Sequence, residues 1–286
     1  MRSVRATTFL EGLTFGEAPR WHGGRLWYSD FFAHTVSSVA ADGTGRTREI
    51  AVPGRPSGLG WLPGGELLVV SMQDRTVLQR RDDGSVHVHA DLSALAAASL
   101  NDMLVLSDGT AFVGQFGFDL DAFFNGDAAP ETTSLLRVDR DGTAHEAARD
   151  LSFPNGMVLI AGTLVVAETF AARLSAFDVG AGGVLTGRRE WAALGQCFPD
   201  GICADAQGAI WVANALAPEC LRVAQGGEVL ARVETSQPCF ACTLGGDDGR
   251  LLWCCTAPTS ESDRLIGRAL ARIEVAPVDI PATSLR

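Results

Sequence analysis

The sequence lacks any segment long and apolar enough to cross a membrane as a helix. No apolar run approaches the roughly 18 to 20 residues that span a bilayer. Residues 1–6 include two arginines, but no apolar stretch follows them, so we expect no secretory signal peptide. We therefore expect no membrane as a partner, and we predict a cytoplasmic location.

Basic residues are also too scarce to form a face that binds nucleic acid. The chain has 23 arginines and lysines against 34 acidic residues, a formal net charge of −11. Binding to a phosphate backbone requires a positively charged surface, so nucleic acid is excluded as an expected partner. An acidic protein instead attracts cations. The hydrophobic fraction of 47% excludes a disordered chain and supplies enough apolar residues for a core.

The cysteines do not form the pattern of a disulfide framework. There are seven, an odd number, and all of them lie between residues 197 and 255. A secreted scaffold has an even number that is spread over the chain, so we expect reduced thiols. Cys239 and Cys242 have the spacing of half a zinc or redox site. Because no second such pair and no histidine cluster accompany them, ordinary strand cysteines are the favoured interpretation.

Helical periodicity is nearly absent from the chain. Only residues 91–99 have helical character, and this stretch is short. Elsewhere, runs of four to eight apolar residues lie between Gly, Asp and Pro residues. This pattern is typical of strands and turns in an all-β fold.

The apolar runs repeat. Six of them begin at a glycine, and their fourth residues are Trp27, Leu68, Phe112, Val165, Trp211 and Leu252. The intervals between consecutive members of this set are 41, 44, 53, 46 and 41 residues. Four antiparallel strands per copy and a period of about 40 to 50 residues are typical of propeller blades. We therefore predict one six-bladed β-propeller domain over residues 1–286. We expect residues 5–9 to pair with residues 269–275 in the last blade, and residues 116–133 to form a loop over one face.

Four short sequence motifs precede these runs. Each motif has one oxygen-bearing side chain at nearly the same position in its copy of the repeat. The four residues are Glu17, Asn101, Asn155 and Asp200, and alignment of the six copies adds Ser57 and, loosely, Cys239. The innermost strands of a propeller run along its central channel. The four side chains are therefore predicted to meet at one mouth of that channel.

Two carboxylates and two amide carbonyls form a set of hard oxygen donors. Such donors suit Ca²⁺ first, with Mg²⁺, Mn²⁺ or Zn²⁺ as alternatives, and no histidine lies at an equivalent position. An alternative interpretation is that the Asn-Gly and Asp-Gly pairs only form turns that enter a strand. Agreement among four copies favours a site for one divalent cation.

The sequence resembles the senescence marker protein (regucalcin), gluconolactonase and LRE-like family of six-bladed propellers. The motifs that carry the resemblance are residues 17–21, 101–102, 153–156 and 199–202. The resemblance extends over essentially the whole chain. It implies a divalent cation held by Glu17, Asn155 and Asp200, with Asn101 beside it as a ligand or substrate contact. It also implies hydrolysis of lactones, with Asp200 as the base that activates water and Asn101 as its partner in catalysis.

This chemistry requires no serine nucleophile. A cation at the channel mouth would polarise an ester carbonyl and stabilise the oxyanion that forms on it. A carboxylate beside the cation would orient the attacking water or accept its proton. The sequence has no Gly-x-Ser-x-Gly motif, which excludes the usual serine esterase.

The substrate end departs from the sugar lactonases of the family. Those members carry an Arg two residues before the Asn of the third copy and an acidic residue beyond the next strand, where this chain has Ser99 and Phe118. Loss of two polar anchors favours a more apolar lactone or ester as the small-molecule substrate. The predicted substrate contacts are Ser99, Asn101, Gln115, Phe116, Phe118 and Phe170. Some of these phenylalanines have an alternative place in the core between blades.

Two other functions remain open at this point. The same site would support a lyase, isomerase or hydratase reaction through an enolate, since the cation would stabilise that oxyanion equally well. The second alternative is a propeller that binds calcium or a protein partner and catalyses no reaction. Glu168 and Asn214 end apolar strands, and each either contacts the substrate or supports the site.

Overall fold

The computed structural model describes residues 2–283, which form strands and a few short helical segments. In chain order the strands are β1 (Arg2–Arg5), β2 (Thr7–Leu13), β3 (Gly16–His22), β4 (Arg25–Asp30), β5 (Thr35–Ala40), β6 (Thr47–Ala51), β7 (Pro56–Trp61), β8 (Leu67–Ser71), β9 (Thr76–Arg80), β10 (Val86–Asp91), β11 (Leu100–Val105), β12 (Ala111–Gln115), β13 (Thr133–Val138), β14 (Ala144–Leu151), β15 (Pro154–Ile160), β16 (Thr163–Glu168), β17 (Arg173–Val179), β18 (Leu185–Ala193), β19 (Pro199–Ala204), β20 (Ile210–Asn214), β21 (Glu219–Val223), β22 (Val229–Glu234), β23 (Cys239–Gly245), β24 (Leu251–Thr256) and β25 (Ala271–Pro277). The helices are α1 (Leu120–Phe124) and α2 (Ser262–Leu265), with 3₁₀ turns at Thr169–Ala171 and Ala181–Gly183. No helix within the described residues is long and apolar enough to cross a membrane.

The strands form six sheets, antiparallel except for the pairing of β1, which confirms the predicted six-bladed β-propeller. Blades 1 to 4 each contain four consecutive strands: β3–β6, β7–β10, β11–β14 and β15–β18. Blade 5 contains β19–β22, and blade 6 contains β23–β25 together with β2. The innermost strand of each blade is the first of its repeat, as the sequence predicts.

The glycine that marks each repeat has a conformational reason. In all six blades it ends the hairpin before the second strand, with φ between 71° and 98°; these residues are Gly24, Gly65, Gly109, Gly162, Gly208 and Gly249. Positive φ is strained for residues with a Cβ atom, so glycine is favoured at these turns. The repeat visible in the sequence is therefore a repeat of hairpin geometry.

The N-terminal segment closes the ring of blades. Thr7 pairs with Val275 and Leu13 with Ala271, so β2 completes blade 6 as its outer strand. This confirms the expected closure but moves it to residues 7–13 and 271–277. Arg5 belongs instead to β1, which adds a parallel fifth strand to blade 5 opposite Glu234. Closure of this kind leaves only short sheet edges unpaired.

Residues 91–99, the one stretch with helical character in the sequence, do not form a helix. The carboxylate of Asp91 accepts the backbone N–H of Ser93 at 2.9 Å, which fixes a turn where a helix would begin. The N–H of Ala97 donates to the side chain of Gln115 at 2.8 Å, so it is not available to a helix. One i to i−4 bond, from Ala96 to Leu92, remains. A single turn does not overcome the cost of starting a helix.

Residues 116–133 lie over the channel mouth, as expected, but they include α1. Asp119 caps this helix by accepting the N–H of Ala122. The hydroxyl of Ser262 in α2 donates to the carboxylate of Asp121 in α1 at 2.8 Å. We call α1 and α2 together the cap, because they join blades 3 and 6 across the mouth.

All seven cysteines carry free thiols, as the sequence predicts, and six of them are buried. Cys239 and Cys242 lie in β23 and pack with other cysteines between blades 5 and 6. Among residues 2–283, no three His, Cys, Asp or Glu side chains are grouped so that they could hold a metal ion. The Cys239–Cys242 pair is therefore part of the core.

Candidate functional site

Strand register places one residue of every blade at the same point of the channel mouth. The first residue of each innermost strand pairs with the last residue of the second strand: Gly16 with Asp30, Pro56 with Ser71, Leu100 with Gln115, Pro154 with Glu168, Pro199 with Asn214 and Cys239 with Thr256. The register then shifts as at a β-bulge, directly after this pair in blades 2 to 6 and after Glu17 in blade 1. The second residues of the innermost strands are equivalent: Glu17, Ser57, Asn101, Asn155, Asp200 and Phe240.

This register corrects the sixth position from Cys239 to Phe240. In blades 2, 4 and 5 a proline lies directly before the site residue, as in Pro154–Asn155. In blade 6 that proline, Pro238, lies outside the strand, and Cys239 takes its place in the pairing. The sixth position is therefore aromatic.

The glycines that follow Asn155 and Asp200 are needed for contact between blades. A Cβ atom on Gly156 would lie 2.5 Å from the backbone nitrogen of Ile202, and one on Gly201 would lie 2.7 Å from the Cα of Ala241. Such distances are not tolerated without movement of the backbone. Both glycines lie within strands, so the interpretation of these motifs as simple turns is wrong.

The four predicted oxygen-bearing residues share one cavity. Glu17, Asn101, Asn155 and Asp200 are between 4% and 8% exposed. All four line a cavity of about 380 Å³ at the channel mouth. The structure therefore brings together the two carboxylates and two carboxamides that the sequence assigned to one site.

The two carboxylates form no ion pair within residues 2–283, and the charge of Arg20 is only the last of the causes that act on the pKa of Glu17. Burial raises the pKa of Glu17 well above its ordinary value, and the charge of Asp200 raises it further. Burial likewise raises the pKa of Asp200, followed by the charge of Asp102. Within the described part of the chain, no arginine or histidine forms an ion pair with Glu17 or Asp200. Two buried carboxyl groups that have no ion-pair partner favour binding of a cation, because the cation would compensate their negative charge.

Asp102, by contrast, forms an ion pair with Arg20. Arg20 donates to its carboxylate at 2.7 Å and to the carbonyl oxygen of Met103 at 2.8 Å. The same carboxylate accepts the N–H of Met103. Asp102 therefore supports the floor of the site from beneath, as a positioning residue beside Asn101.

The two carboxamides are held differently. Asn155 donates through Nδ2 to Thr169 Oγ1 at 3.3 Å, and that hydroxyl donates to the carbonyl oxygen of Pro199 at 2.7 Å. Its carbonyl oxygen is thus the atom left for a cation. Nδ2 of Asn101 is buried and has no hydrogen-bond partner among residues 2–283. A buried amide donor without a partner costs about 1 to 3 kcal/mol, which a ligand acceptor would offset.

This donor set fits a hard divalent cation. Ca²⁺ and Mg²⁺ take carboxylate and carboxamide oxygens, and the site offers two of each without a competing lysine or arginine. Thiolates and imidazoles are missing from the lining. A zinc site built on nitrogen or sulfur is therefore not the match for these residues.

Phenylalanines form the walls of the same cavity, which we call the phenylalanine cavity. Nine of the fourteen in the chain line it: Phe15, Phe31, Phe116, Phe123, Phe124, Phe153, Phe170, Phe198 and Phe240. Phe116 stacks on Phe153 with ring centroids 4.8 Å apart, and Phe123 meets Phe170 edge-on at 5.4 Å. The cap supplies Leu120, Phe123 and Phe124. The polar floor is thereby enclosed by apolar rings.

The predicted substrate contacts divide into three groups. Asn101, Phe116 and Phe170 line the phenylalanine cavity. Ser99 and Phe118 line an adjoining cavity of about 440 Å³, and Phe116 lines both. Gln115 lines neither, because it is fully buried and its amide binds the backbone of Ala97 and Ser134. This placement gives Gln115 a role in holding the loop before Asn101 and does not support direct contact with a substrate.

Glu168 and Asn214 support the site from outside the cavity. Glu168 is fully buried, accepts the N–H of Ser152 at 2.9 Å, and forms ion pairs with Arg173 and Arg188. Asn214 accepts the N–H of Phe198 at 3.2 Å. Each therefore fixes the loop that leads into an innermost strand.

In other blades too, a side chain at the end of the second strand accepts a backbone N–H from the loop before the innermost strand. This recurring contact was not identified from the sequence. Asp30 accepts the N–H of Phe15 at 3.0 Å, and Gln115 accepts that of Ala97 at 2.8 Å. The signal is visible as a polar residue that ends the apolar second strand in each blade: Asp30, Ser71, Gln115, Glu168, Asn214 and Thr256. Four of the six hold the loop that carries the site.

Comparison with known proteins agrees with this architecture. The model of the SMP-30/Gluconolactonase/LRE-like region family matches residues 15–258. A regucalcin from Agrobacterium tumefaciens strain C58, described as a calcium-binding protein, is 20% identical, with full coverage of both chains and a TM-score of 0.78. A gluconolactonase from Xanthomonas campestris is 23% identical over 96% of this chain and 89% of its own, with a TM-score of 0.76. A luciferin-regenerating enzyme is 18% identical over 95% and 94%, with a TM-score of 0.80.

Proposed function

The chain belongs to the SMP-30/gluconolactonase/LRE-like family, and we propose that it is a divalent-metal-dependent lactonase or carboxylic ester hydrolase. Its substrate is a relatively apolar lactone or ester. One observation carries the proposal: Glu17 and Asp200, two buried carboxylates that form no ion pair among the described residues, lie with two carboxamides on the floor of a cavity walled by phenylalanines. The gluconolactonase similar to this chain supports the reaction class.

Glu17, Asn155 and Asp200 are the residues that would hold the cation, with Asn101 beside them. The calcium-binding regucalcin among the similar structures supports Ca²⁺ as the ion. When bound, a divalent cation supplies polarisation of the ester carbonyl and stabilises negative charge on its oxygen. The remaining parts of the reaction fall to side chains of this chain.

Asp200 is the proton acceptor for the attacking water. Its carboxylate lies within the cavity, and an interaction with the side chain of Asn155 helps to keep it ionised. Asn101 offers the unpartnered Nδ2–H to an oxygen of the substrate. A hydrogen bond of this kind orients the ester above the carboxylates, which is an effective contribution to catalysis.

The walls determine the class of substrate. Phenylalanine rings exclude water and contribute apolar contact area, but they offer no partners to hydroxyl groups. A polyhydroxylated sugar lactone would leave several of its hydroxyls without hydrogen bonds, at about 1 to 3 kcal/mol for each. An alkyl or aryl lactone avoids this cost and gains from burial.

The test is a matched comparison of lactones and variants. Wild-type protein with Ca²⁺ is expected to hydrolyse dihydrocoumarin and δ-nonalactone at least tenfold more efficiently than gluconolactone in kcat/KM. Asp200→Asn and Glu17→Gln are expected to lower these values by roughly a hundredfold or more. Asp141→Asn, in an exposed hairpin, is the control and retains the wild-type rate. Full activity of both site variants, or a preference for gluconolactone, would overturn the proposal.

A further inference from the structure

A second cavity of about 440 Å³ adjoins the phenylalanine cavity at the channel mouth. The two cavities share Phe15, Phe31, Phe116, Leu120 and Ser260 as walls. A ligand that rests on the polar floor therefore has a direct path into the second cavity. Its lining differs from the first by the presence of Arg55 and Arg75, and we call it the arginine cavity.

Both arginines have backbone conformations that favour glycine. The φ angle is 66° at Arg55 and 55° at Arg75. A residue with a Cβ atom is strained there by about 1 to 2 kcal/mol. The same conformation recurs at His34, Phe153 and Ala172 in corresponding turns of other blades, so it belongs to the propeller repeat. Backbone hydrogen bonds hold both arginines in place, from Met72 to the carbonyl oxygen of Arg55 and from Leu92 to that of Arg75. The backbone of both residues is thus fixed at the blade 2 wall of the cavity.

Most hydrogen-bond donors of these two side chains have no acceptor in the protein. A guanidinium offers five N–H donors. Arg55 is 22% exposed, stacks over Phe32 at 5.1 Å and lies 3.9 Å from Asp121, which is beyond hydrogen-bonding distance. Arg75 makes one hydrogen bond, to the carbonyl oxygen of Ala96 at 3.3 Å. Arg75 also interacts electrostatically with the exposed carboxylate of Asp91, and Arg55 and Asp121 form an ion pair at this distance of 3.9 Å.

The acidic residues of the same cavity are already engaged. Asp119 accepts the N–H of Ala122 at the start of α1, and Asp121 accepts the hydroxyl of Ser262. Both belong to the cap and keep it assembled. Asp119 and Asp121 balance the charges of Arg55 and Arg75 in this lining. The guanidinium donors that make no hydrogen bond are the groups for which an anionic oxygen is the complementary ligand.

We propose that the arginine cavity binds an anionic oxygen group, a carboxylate or phosphate, carried by the substrate. This identification of the ligand as part of the substrate rests on the proposed hydrolase function. The substrate is then an amphiphilic ester or lactone, with its apolar body among the phenylalanines and its charged arm on Arg55 and Arg75. The planar guanidinium fork matches both kinds of anionic group in a bidentate manner.

Binding of non-hydrolysable probes tests the site independently of turnover. Calorimetry compares 4-phenylbutyrate and 4-phenylbutyl phosphate with the neutral 4-phenylbutanamide. Wild-type protein is expected to bind at least one anionic probe tenfold or more tightly than the amide. Arg55→Gln and Arg75→Gln are each expected to reduce that preference by roughly tenfold, the effect of a charged hydrogen bond. Arg81→Gln, an exposed residue of the same blade, retains it, and thermal unfolding verifies that each variant is folded.

The outcomes separate this proposal from the hydrolase function. Equal binding of anionic and neutral probes by wild-type protein would overturn the arginine site, as would an unchanged preference in both site variants. An arginine-dependent preference without hydrolysis of any lactone would establish the anion site but overturn its assignment to a substrate. Hydrolysis of neutral lactones with no anion preference would leave the proposed function intact and exclude this inference.

Discussion

Glu17 of blade 1 and Asp200 of blade 5 lie so near each other on the floor of the phenylalanine cavity that their charges interact. Burial raises the pKa of Glu17, and the negative charge of Asp200 raises it further. Neither carboxylate has an arginine or histidine partner within the described residues. The pair is therefore unfavourable for the isolated chain at neutral pH, and a cation between blades 1 and 5 would relieve it.

Cation binding is expected to stabilise the protein against heat. After treatment with EDTA, addition of Ca²⁺ at a hundred times its Kd stabilises the folded state by about 2.7 kcal/mol. For a chain of 286 residues that corresponds to a rise in Tm of roughly 4 to 5 °C. Differential scanning fluorimetry measures it. Asp200→Asn abolishes the shift and Asp141→Asn retains it; an equal shift in Asp200→Asn would show that the ion binds elsewhere.

Glu168→Gln is expected to destabilise the fold in a pH-dependent way. Burial raises the pKa of Glu168, but hydrogen bonds from Arg173, Ser175 and Ser152 outweigh this and leave it below its ordinary value. A lowered folded-state pKa contributes stability above the unfolded value of about 4.5, and this stability is lost as pH falls through the folded value. The variant is therefore less stable by about 3 kcal/mol at pH 7, because two arginines lose their buried partner.

The measurement is urea unfolding at pH 7 and at pH 4. The difference between wild type and Glu168→Gln shrinks at the lower pH, whereas the exposed control Glu131→Gln shows little difference at either. A destabilisation that is the same at both pH values would mean that packing, and not the charge of Glu168, is responsible.

Gly156→Ala is expected to impair both the fold and the site. The added methyl group would lie 2.5 Å from the backbone nitrogen of Ile202 and 2.7 Å from the carbonyl oxygen of Asp200. The two innermost strands must then separate, at about 2 to 3 kcal/mol, and Asn155 moves away from Asp200. Tm and Ca²⁺ affinity both fall. Gly180→Ala, whose φ is −88°, is the control; unchanged affinity in Gly156→Ala would contradict the close contact.

The fold was predictable because a glycine marks the same turn in every repeat. Gly24 and its five equivalents take positive φ at the same hairpin of each blade, so the spacing of blades is visible in the sequence. Site residues such as Asn155 were predictable for the same reason, since they occupy one place in that repeat. In the loosely aligned sixth copy the prediction named Cys239, one residue before Phe240, which the strand register places at this position.

The parts without periodicity were not predictable. Arg55 and Arg75 reach the mouth from connecting segments, and only the folded chain shows that they face the same cavity as Phe116. Residues 91–99 looked helical from their alanines, but the partner of Ala97 is Gln115, eighteen residues away. Glu168 was visible as a polar strand end, yet the N–H that it binds could not be identified from spacing.

The measurement that tests the central claim most directly is hydrolysis of dihydrocoumarin before and after removal of divalent cations. Wild-type protein stripped with EDTA is predicted to fall to the background rate and to regain activity when Ca²⁺ is restored. Asp200→Asn is predicted to stay at least a hundredfold lower with Ca²⁺ present. Full activity of the stripped wild-type protein would contradict the assignment of Glu17, Asn155 and Asp200 as a catalytic metal site.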